Sequence, residues 1–332
     1  MLLFPNRSIV FIHGVNVRNE AAYNKQANAM FQNIKASIND SSRTLKPVIL
    51  YWGNVGQDST NTLLKGLELS PQWEEFWFKD LRTTQFLPFV GDAALYLSRT
   101  VSKAIVEQLT EQAIKQIGLS LEQLKNPPEG DRLHLVTHSW GTVVLFDILF
   151  SSRWEEDAVT PQIRQLIENM RRGFFGVGTD SEKEFGIPLA SIHTMGSPIA
   201  LFNLINIQGG NSFNLTPKLK EFLEKLQEKL KKPLPWKNYA HPGDPIAYPL
   251  KGVVPLFLDL AKDQNIVSVE DVMSPSSWIG RLFGKYSPFK VLGKSFLTFV
   301  PILPIINGGK AHGSYWAERK VAQMIGNVIQ ST

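Results

Sequence analysis

The sequence predicts an α/β fold with a mostly parallel central sheet and helices on both faces. Short apolar runs alternate along the chain with longer segments of helical periodicity, as in repeated strand–helix–strand units. Several of these runs are apolar throughout, which is typical of strands buried on both faces of a parallel sheet. With 332 residues, 43% of them hydrophobic, the chain is long enough for one large domain spanning 1–332.

The predicted elements follow from these periodicities in chain order. The predicted strands are 9–13, 47–52, 133–137, 189–194 and 236–240. The predicted helices are 20–38, 92–116, 141–150, 162–172, 216–231 and 315–329. Two ranges fit the alternation poorly and are predicted to be helical, cap-like insertions over the sheet, 53–130 and 251–301.

Composition excludes several classes of site and partner. The net charge is +5, but no Lys/Arg cluster is interleaved with aromatic residues, so no nucleic-acid partner is predicted. Contact with an anionic membrane surface and the oligomeric state stay open. The absence of cysteine excludes disulfides, thiolate metal sites and a cysteine nucleophile.

The sequence predicts neither a signal peptide nor a transmembrane segment. Pro5, Asn6 and Arg7 interrupt the apolar N-terminus, which therefore does not resemble a signal peptide. The most apolar late segment contains Pro301 and Pro304 and is too short to span a bilayer. We therefore expect a cytoplasmic protein.

The stretch LVTHSWG joins the third predicted strand to the third predicted helix. A turn this tight holds its central residue, Ser139, in a strained conformation at the carboxyl edge of the sheet. The close backbones require small residues two positions before and after the serine. Gly141 meets the second requirement, whereas Thr137 departs from the first. The helix N-terminus directs the backbone N–H of Trp140 towards a developing oxyanion, so Ser139 is the candidate nucleophile.

A serine hydroxyl needs a base to take its proton, and the chain has six histidines. The block FIHGVN ends the first strand and resembles the oxyanion loop of lipases and esterases. There His13 and Gly14 would support the loop, and the amide of Val15 would be the second oxyanion donor. Structural roles are expected for the histidines in or beside other strands, which are His134, His138 and His193.

The two remaining histidines are the candidate bases. His312 lies in a glycine-rich loop between a predicted final strand and the last helix, where the base of the chain order Ser–acid–His belongs. His241 is the alternative. Asp244 follows a predicted strand, where the acid of this order belongs, and it would orient the imidazole. Two alternatives stay open for the acid: Asp244 is a plain turn residue before proline, or Asp147 on the helix after the serine takes its place.

Five blocks occur in order over nearly the whole chain: FIHGVN, LVTHSWG, HTMGSPIALF, HPGDPIAY and AHGSYW. Together they resemble the blocks of α/β-hydrolase lipases, and the last two are most similar to the DDHD-type intracellular phospholipase A1 group. The resemblance implies an α/β-hydrolase fold, a triad of Ser139, Asp244 and His312, and lipase or esterase chemistry. Thr137 departs from the glycine form of the serine block, and the two insertions leave the substrate open.

The expected reaction is hydrolysis of a lipid or small acyl ester through an acyl-enzyme, with no cofactor and no metal. Acyl transfer, or cleavage of a thioester or amide by the same triad, is the alternative within the enzyme class. A non-catalytic binding protein on a hydrolase scaffold is the alternative outside it. The aromatic residues of the insertions either cap an acyl pocket or form the core of extra helices: Trp73, Phe76, Trp77, Phe78, Phe296 and Phe299.

Overall fold

Six parallel strands form one sheet in the order β2-β1-β3-β4-β5-β6. The strands are β1 Asn6–Ile12, β2 Thr44–Leu50, β3 Arg132–His138, β4 Leu189–Met195, β5 Leu234–Ala240 and β6 Val267–Met273. The structure is a computed structural model. It describes residues 6–40, 42–75, 79, 83, 87–97, 99–118, 121–157, 159–178, 185–202, 217–254, 266–274 and 311–332.

Helices pack on both faces of this sheet. They are α1 Glu20–Ser37, α2 Gln57–Glu68, α3 Leu87–Leu97, α4 Arg99–Ile117, α5 Leu121–Lys125, α6 Trp140–Phe150, α7 Pro161–Phe175, α8 Ile199–Phe202, α9 Pro217–Leu230 and α10 Arg319–Gln330. Helices α1 and α10 contribute to one apolar core, and α4, α6, α7 and α9 contribute to the other. The parallel strand order with helices on both faces confirms the predicted α/β-hydrolase fold class.

The strands with continuous apolar runs lie in the middle of the sheet. Every residue of β4 is buried, and β3 is buried from Leu133 onward. Because parallel strands end at one edge, the residues that follow β1, β3, β4 and β5 meet at the carboxyl edge of the sheet. The sequence places its candidate site residues in the segments at this edge.

Two sequence predictions need correction. The range 251–301 was predicted to be an insertion, but β6 pairs with β5 within it, so the prediction is wrong for these seven residues. The helix predicted over 92–116 is covered by α3 and α4, apart from residue 98, which lies outside the described residues. The last helix was predicted from residue 315, but a 3₁₀ turn, Ser314–Ala317, precedes α10. The sequence analysis missed β6 because its sequence, VSVEDVM, mixes half-buried valines with polar residues. It therefore lacks the continuous apolar run by which the central strands were predicted.

Glutamine side chains of α4 cover the outer edge of β2. The side-chain amide of Gln116 donates to the carbonyl of Ile49 and accepts from its N–H, both at 2.7 Å. Gln112 makes the same pair of bonds with Tyr51, at 2.7 and 2.9 Å, and Gln108 also donates to the Tyr51 carbonyl. Residues spaced by four lie on one face of a helix, so α4 presents a row of amides to the strand.

Part of the predicted cap and of the C-terminal region lies outside the described residues. The undescribed part includes the predicted final strand before His312 and the aromatic residues Phe76, Trp77, Phe78, Phe296 and Phe299. Trp73 is described and is buried in the 3₁₀ turn Pro71–Glu75. Within the described residues, no helix combines the length and the apolar character needed to cross a bilayer.

Candidate active site

Ser139 lies at the turn from β3 into α6 and has a strained backbone. Its φ of 54° and ψ of −130° place a non-glycine residue at positive φ, where a side chain is rarely tolerated. Its amide donates to the carbonyl of Met195 at the end of β4, at 2.9 Å. Its Oγ is buried and has no hydrogen-bond partner among the described residues. The turn therefore holds a hydroxyl at the carboxyl edge that none of the described residues binds.

Two glycines allow the backbones around Ser139 to approach each other. A Cβ on Gly141 would lie 2.4 Å from the carbonyl oxygen of His13, and a Cβ on Gly14 would lie 2.5 Å from the Cβ of Ser139. Real side chains do not reach such distances, so both positions must lack one. The loop after β1 is thus pressed directly against the serine turn.

Thr137 occupies the position where the serine block usually has glycine. It is fully buried in β3, and its Oγ1 lies 2.8 Å from the Oγ1 of Thr142, one turn into α6. This hydrogen bond satisfies both hydroxyls and joins the strand to the helix on the two sides of the turn. The structure therefore accommodates the departure noted in the sequence.

Asp244 and His312 form a hydrogen-bonded pair at the same edge, across 68 positions of sequence. His312 Nδ1 lies 2.9 Å from Asp244 Oδ2; the Asp244 side chain is inaccessible to solvent, and that of His312 is 16% exposed. Since an ionised carboxylate can only accept, Nδ1 carries a proton, and in the neutral imidazole Nε2 is then the acceptor. The other carboxylate oxygen accepts the amide of Ile246 at 2.9 Å. Asp244 is therefore both the turn residue and the partner of the histidine.

Burial alone would raise the pKa of the Asp244 carboxyl. Hydrogen bonding and charge interaction with His312 outweigh this effect, aided by hydrogen bonds from Ile246 and Tyr315, and the pKa is held below its usual value. The carboxylate is consequently ionised at neutral pH, as an acid that orients an imidazole must be.

Tyr315 is a site residue that the sequence analysis missed. Its hydroxyl donates to Asp244 Oδ2 at 2.8 Å and accepts the backbone N–H of His241 at 2.8 Å. Burial and the adjacent carboxylate raise the pKa of this hydroxyl, which therefore stays protonated and able to donate. Its occurrence in the block AHGSYW, three residues after His312, was the available indication.

His138 connects the serine turn to the His312 segment. Its Nε2 lies 2.7 Å from the carbonyl oxygen of His312, and the two rings lie 4.7 Å apart. Burial, with a further contribution from His312, lowers the pKa of His138 to about 3, so the ring is neutral and Nε2 is the donor. The sequence analysis predicted a structural role for His138. It did not predict the contact with His312, which joins residues 174 positions apart.

Gly196 borders the Asp244–His312 pair at the end of β4. Its φ is 59°, and a Cβ there would lie 2.8 Å from Asp244 Oδ2 and 3.0 Å from His312 Nδ1. Ser139 bonds to the residue just before it. The serine turn and the pair thus adjoin the same end of β4.

The alternative base and acid are engaged elsewhere. His241 Nδ1 accepts the amide of Gly243 at 3.0 Å and has no carboxylate partner among the described residues. Asp147 is fully buried and bound to Arg153 and to the hydroxyl of Tyr96. Neither is arranged as a general base or as the acid that orients one.

His13 holds the loop after β1. Its Nε2 accepts the amide of Trp52 at 3.1 Å, so the proton is on Nδ1, which donates to the carbonyl of Gly14 at 2.6 Å. Burial lowers the pKa of His13 to about 3. Val15, the predicted oxyanion donor, follows Gly14 directly, and Trp140, the other one, is the first residue of α6. The chemical roles of these residues stay predictions.

The two histidines within the sheet belong to a buried chain of hydrogen bonds. Ser191 Oγ lies 2.7 Å from His134 Nδ1 and 2.9 Å from His193 Nε2, and His193 Nδ1 lies 3.3 Å from the hydroxyl of Tyr239. Within the described part of the chain, no group of three or more His, Asp or Glu side chains is arranged to hold a metal ion.

Neither a protein-family model nor a curated protein matches the sequence. Among solved structures, the chain is similar to a putative cell surface hydrolase from Lactobacillus plantarum WCFS1, at 7% identity over 82% of each chain and a TM-score of 0.32. It is also similar to phospholipase PlaB from Legionella pneumophila, at 11% identity and a TM-score of 0.25, over 71% of this chain and 39% of that one.

A third similar structure is the RedJ thioesterase of the prodiginine biosynthetic pathway in Streptomyces coelicolor. The identity is 12% over 90% of this chain and 88% of that one, with a TM-score of 0.28. These likenesses are distant. The fold class rests on the strand order, on the helices of both faces and on the turn at Ser139.

Proposed function

We propose that this chain is a serine hydrolase of carboxylic esters, with Ser139 as nucleophile, His312 as general base and Asp244 as the acid that orients it. The observation that carries the proposal is the hydrogen bond of 2.9 Å between His312 and Asp244. It lies at the sheet edge that also bears the strained Ser139, whose hydroxyl has no partner among the described residues. A nucleophile, a base and an orienting acid are the three roles that acyl transfer by serine requires.

The tautomer of His312 supports the direction of proton transfer. With the proton on Nδ1 held by Asp244, Nε2 can take the proton of Ser139 as the hydroxyl attacks the ester carbonyl. The negative charge on the carbonyl oxygen would be held by the amides of Val15 and Trp140. His312 then gives its proton to the leaving alcohol, and a water molecule clears the acyl-enzyme in the same way.

We place the substrate among lipid esters, phospholipids included. The similarity of the blocks HPGDPIAY and AHGSYW to DDHD-type phospholipases A1 favours this class. The structure relates the two blocks to each other, because Tyr315 of the second block donates a hydrogen bond to Asp244 of the first.

A fluorophosphonate probe tests the nucleophile. Wild-type protein should be labelled, Ser139→Ala should not, and absence of labelling in folded wild-type protein would overturn the proposal. His312→Ala should lower kcat by about 10⁴-fold or more, as loss of a triad member does. His241→Ala is the matched control and should retain turnover, since among the described residues its ring bonds to a backbone amide and to no carboxylate.

Chain-length dependence tests the substrate class. Rates on p-nitrophenyl esters from acetate to palmitate, and on phosphatidylcholine vesicles, should favour the long chains and the vesicles. A strict preference for acetate would exclude a lipase. Product analysis with added alcohol would distinguish hydrolysis from acyl transfer.

A further inference from the structure

We infer that the ion pair between the buried Asp92 and the partly exposed Arg18 positions the oxyanion loop, so that helix α3 acts on the proposed reaction through that loop. The inference rests on the proposed function, because it concerns the loop that would supply the Val15 amide. Neither residue was singled out from the sequence.

The contacts tie the loop after β1 to helix α3. The backbone N–H of Asn16 donates to Asp92 Oδ2 at 2.8 Å, and Arg18 donates to Asp92 Oδ1 at 2.5 Å. Arg18 also donates to the carbonyl of Gly53, in the turn after β2, at 2.8 Å. One carboxylate and one guanidinium therefore join three segments that are distant in sequence.

Val15 lies between two fixed points. On one side Gly14 is pressed against Ser139, where even a Cβ would not fit. On the other side the amide of Asn16 is held by Asp92, and Asn16 adopts a left-handed φ of 59°, uncommon for a residue other than glycine. Only two peptide units separate the anchors, so the direction of the Val15 amide depends on both of them.

The bond to Asp92 also selects the donor. The Asn16 amide is committed to the carboxylate and turned towards α3, so the oxyanion role falls to the amide of Val15. The Asp92 side chain is 1% exposed, and burial of a lone carboxylate close to a developing negative charge would oppose catalysis. Arg18 at 2.5 Å compensates that charge and connects it to the turn after β2.

Asp92→Asn tests the inference in the full chain, with p-nitrophenyl butyrate as substrate. The amide keeps the shape of the side chain but weakens its bonds to Asn16 and Arg18. We expect kcat to fall by about 10- to 100-fold with KM changed less than about threefold, because an oxyanion donor acts in the transition state rather than on bound substrate.

A trifluoromethyl ketone provides a readout that a purely structural role would not affect. Ser139 adds to its carbonyl, the serine proton passes to His312, and the resulting alkoxide occupies the oxyanion position. Its Ki should rise in Asp92→Asn by about the same factor as kcat/KM falls. Glu155→Gln is the matched control, because Glu155 pairs with the buried Arg171 away from the site; it should change neither kcat nor Ki.

Arg18→Lys keeps the charge, but its single nitrogen cannot reach both Asp92 and Gly53. We therefore expect a smaller fall in kcat and a smaller rise in Ki than in Asp92→Asn, again with little change in KM. If Asp92→Asn does not fold, the Arg18→Lys variant tests the inference in its place. Unchanged kcat and Ki in folded Asp92→Asn or Arg18→Lys would overturn the inference while leaving the proposed function intact. A wild-type chain that neither hydrolyses esters nor reacts with fluorophosphonate would overturn both.

Discussion

The proposed site has two halves that are held together differently. The nucleophile half comprises the loop after β1 and the turn at Ser139. Side chains of His13 and Asp92 bond to this loop, but its distinguishing feature is contact so close that Gly14 and Gly141 cannot carry a side chain. The acid–base half, which comprises the loop after β5 and residues 311–317, is held by side-chain hydrogen bonds that converge on Asp244.

The difference predicts how each half responds to substitution. A side chain added in the nucleophile half cannot be accommodated by a small local movement. It should instead push the strand and the helix apart. A hydrogen bond can lengthen or be replaced by water, so a change in the acid–base half should have a graded effect. The predictions below test this contrast in order of decreasing effect.

Gly141→Ala should produce the largest change. Alanine normally stabilises a helix by about 1 kcal/mol relative to glycine, but here the new Cβ would lie 2.4 Å from the His13 carbonyl oxygen. We expect a loss of about 3–5 kcal/mol in the free energy of unfolding, measured by urea denaturation.

Gly66→Ala is the matched control, because Gly66 lies in α2 and has no atom within 4 Å of the position a Cβ would take. It should stabilise the protein by about 0.5–1 kcal/mol. A Gly141→Ala variant as stable as wild type would show that the nucleophile half is not held by steric contact.

Acid should destabilise the fold through its buried histidines before it protonates Asp244. Burial lowers the pKa of His13, His138 and His193 to about 3, whereas the unfolded chain binds protons near the ordinary value of 6.5. Their stabilisation is complete above 6.5 and is lost as the pH falls from there towards 3, by at most about 1.4 kcal/mol per pH unit for each histidine.

Asp244 acts in a lower pH range. Its pKa lies below the ordinary 3.8, so its contribution is present above that value and is lost only as the pH falls below it. Urea unfolding from about pH 7.5 to about pH 4 should show a steep decline. His193→Gln, which changes a residue of the sheet, should make the decline shallower; a flat profile would contradict the assignment of neutral buried imidazoles.

Tyr315→Phe should have the smallest effect of the three. Asp244 keeps His312 and the Ile246 amide, so we expect kcat/KM to fall by about tenfold while the protein remains folded. Tyr23→Phe is the control, since its buried hydroxyl has no hydrogen-bond partner among the described residues; activity and stability should not fall. Equal kcat/KM in Tyr315→Phe and wild type would show that the acid needs no third partner.

The sequence predicted those parts of the structure that depend on local pattern. The central strands are apolar throughout because both of their faces are buried, and β4 was predicted to within one residue. Strand β6 was missed, since an edge strand with half-exposed residues has no such run.

The same distinction applies to the site. Ser139 was predicted from adjacent residues, and Asp244 and His312 from their order along the chain. The contacts of Tyr315, His138 and Asp92 link positions up to 174 apart, and no spacing in the sequence indicates them. Tertiary packing alone decides which hydroxyl or carboxylate meets which backbone group.

The row of glutamines on α4 has a consequence for solubility. An uncovered outer strand offers its backbone to the strand of another molecule and so promotes β-aggregation. Gln108, Gln112 and Gln116 occupy the amide and carbonyl groups of Ile49 and Tyr51 that an incoming strand would use. Helix α4 thereby prevents another chain from pairing with this edge of the sheet, without a further strand being needed.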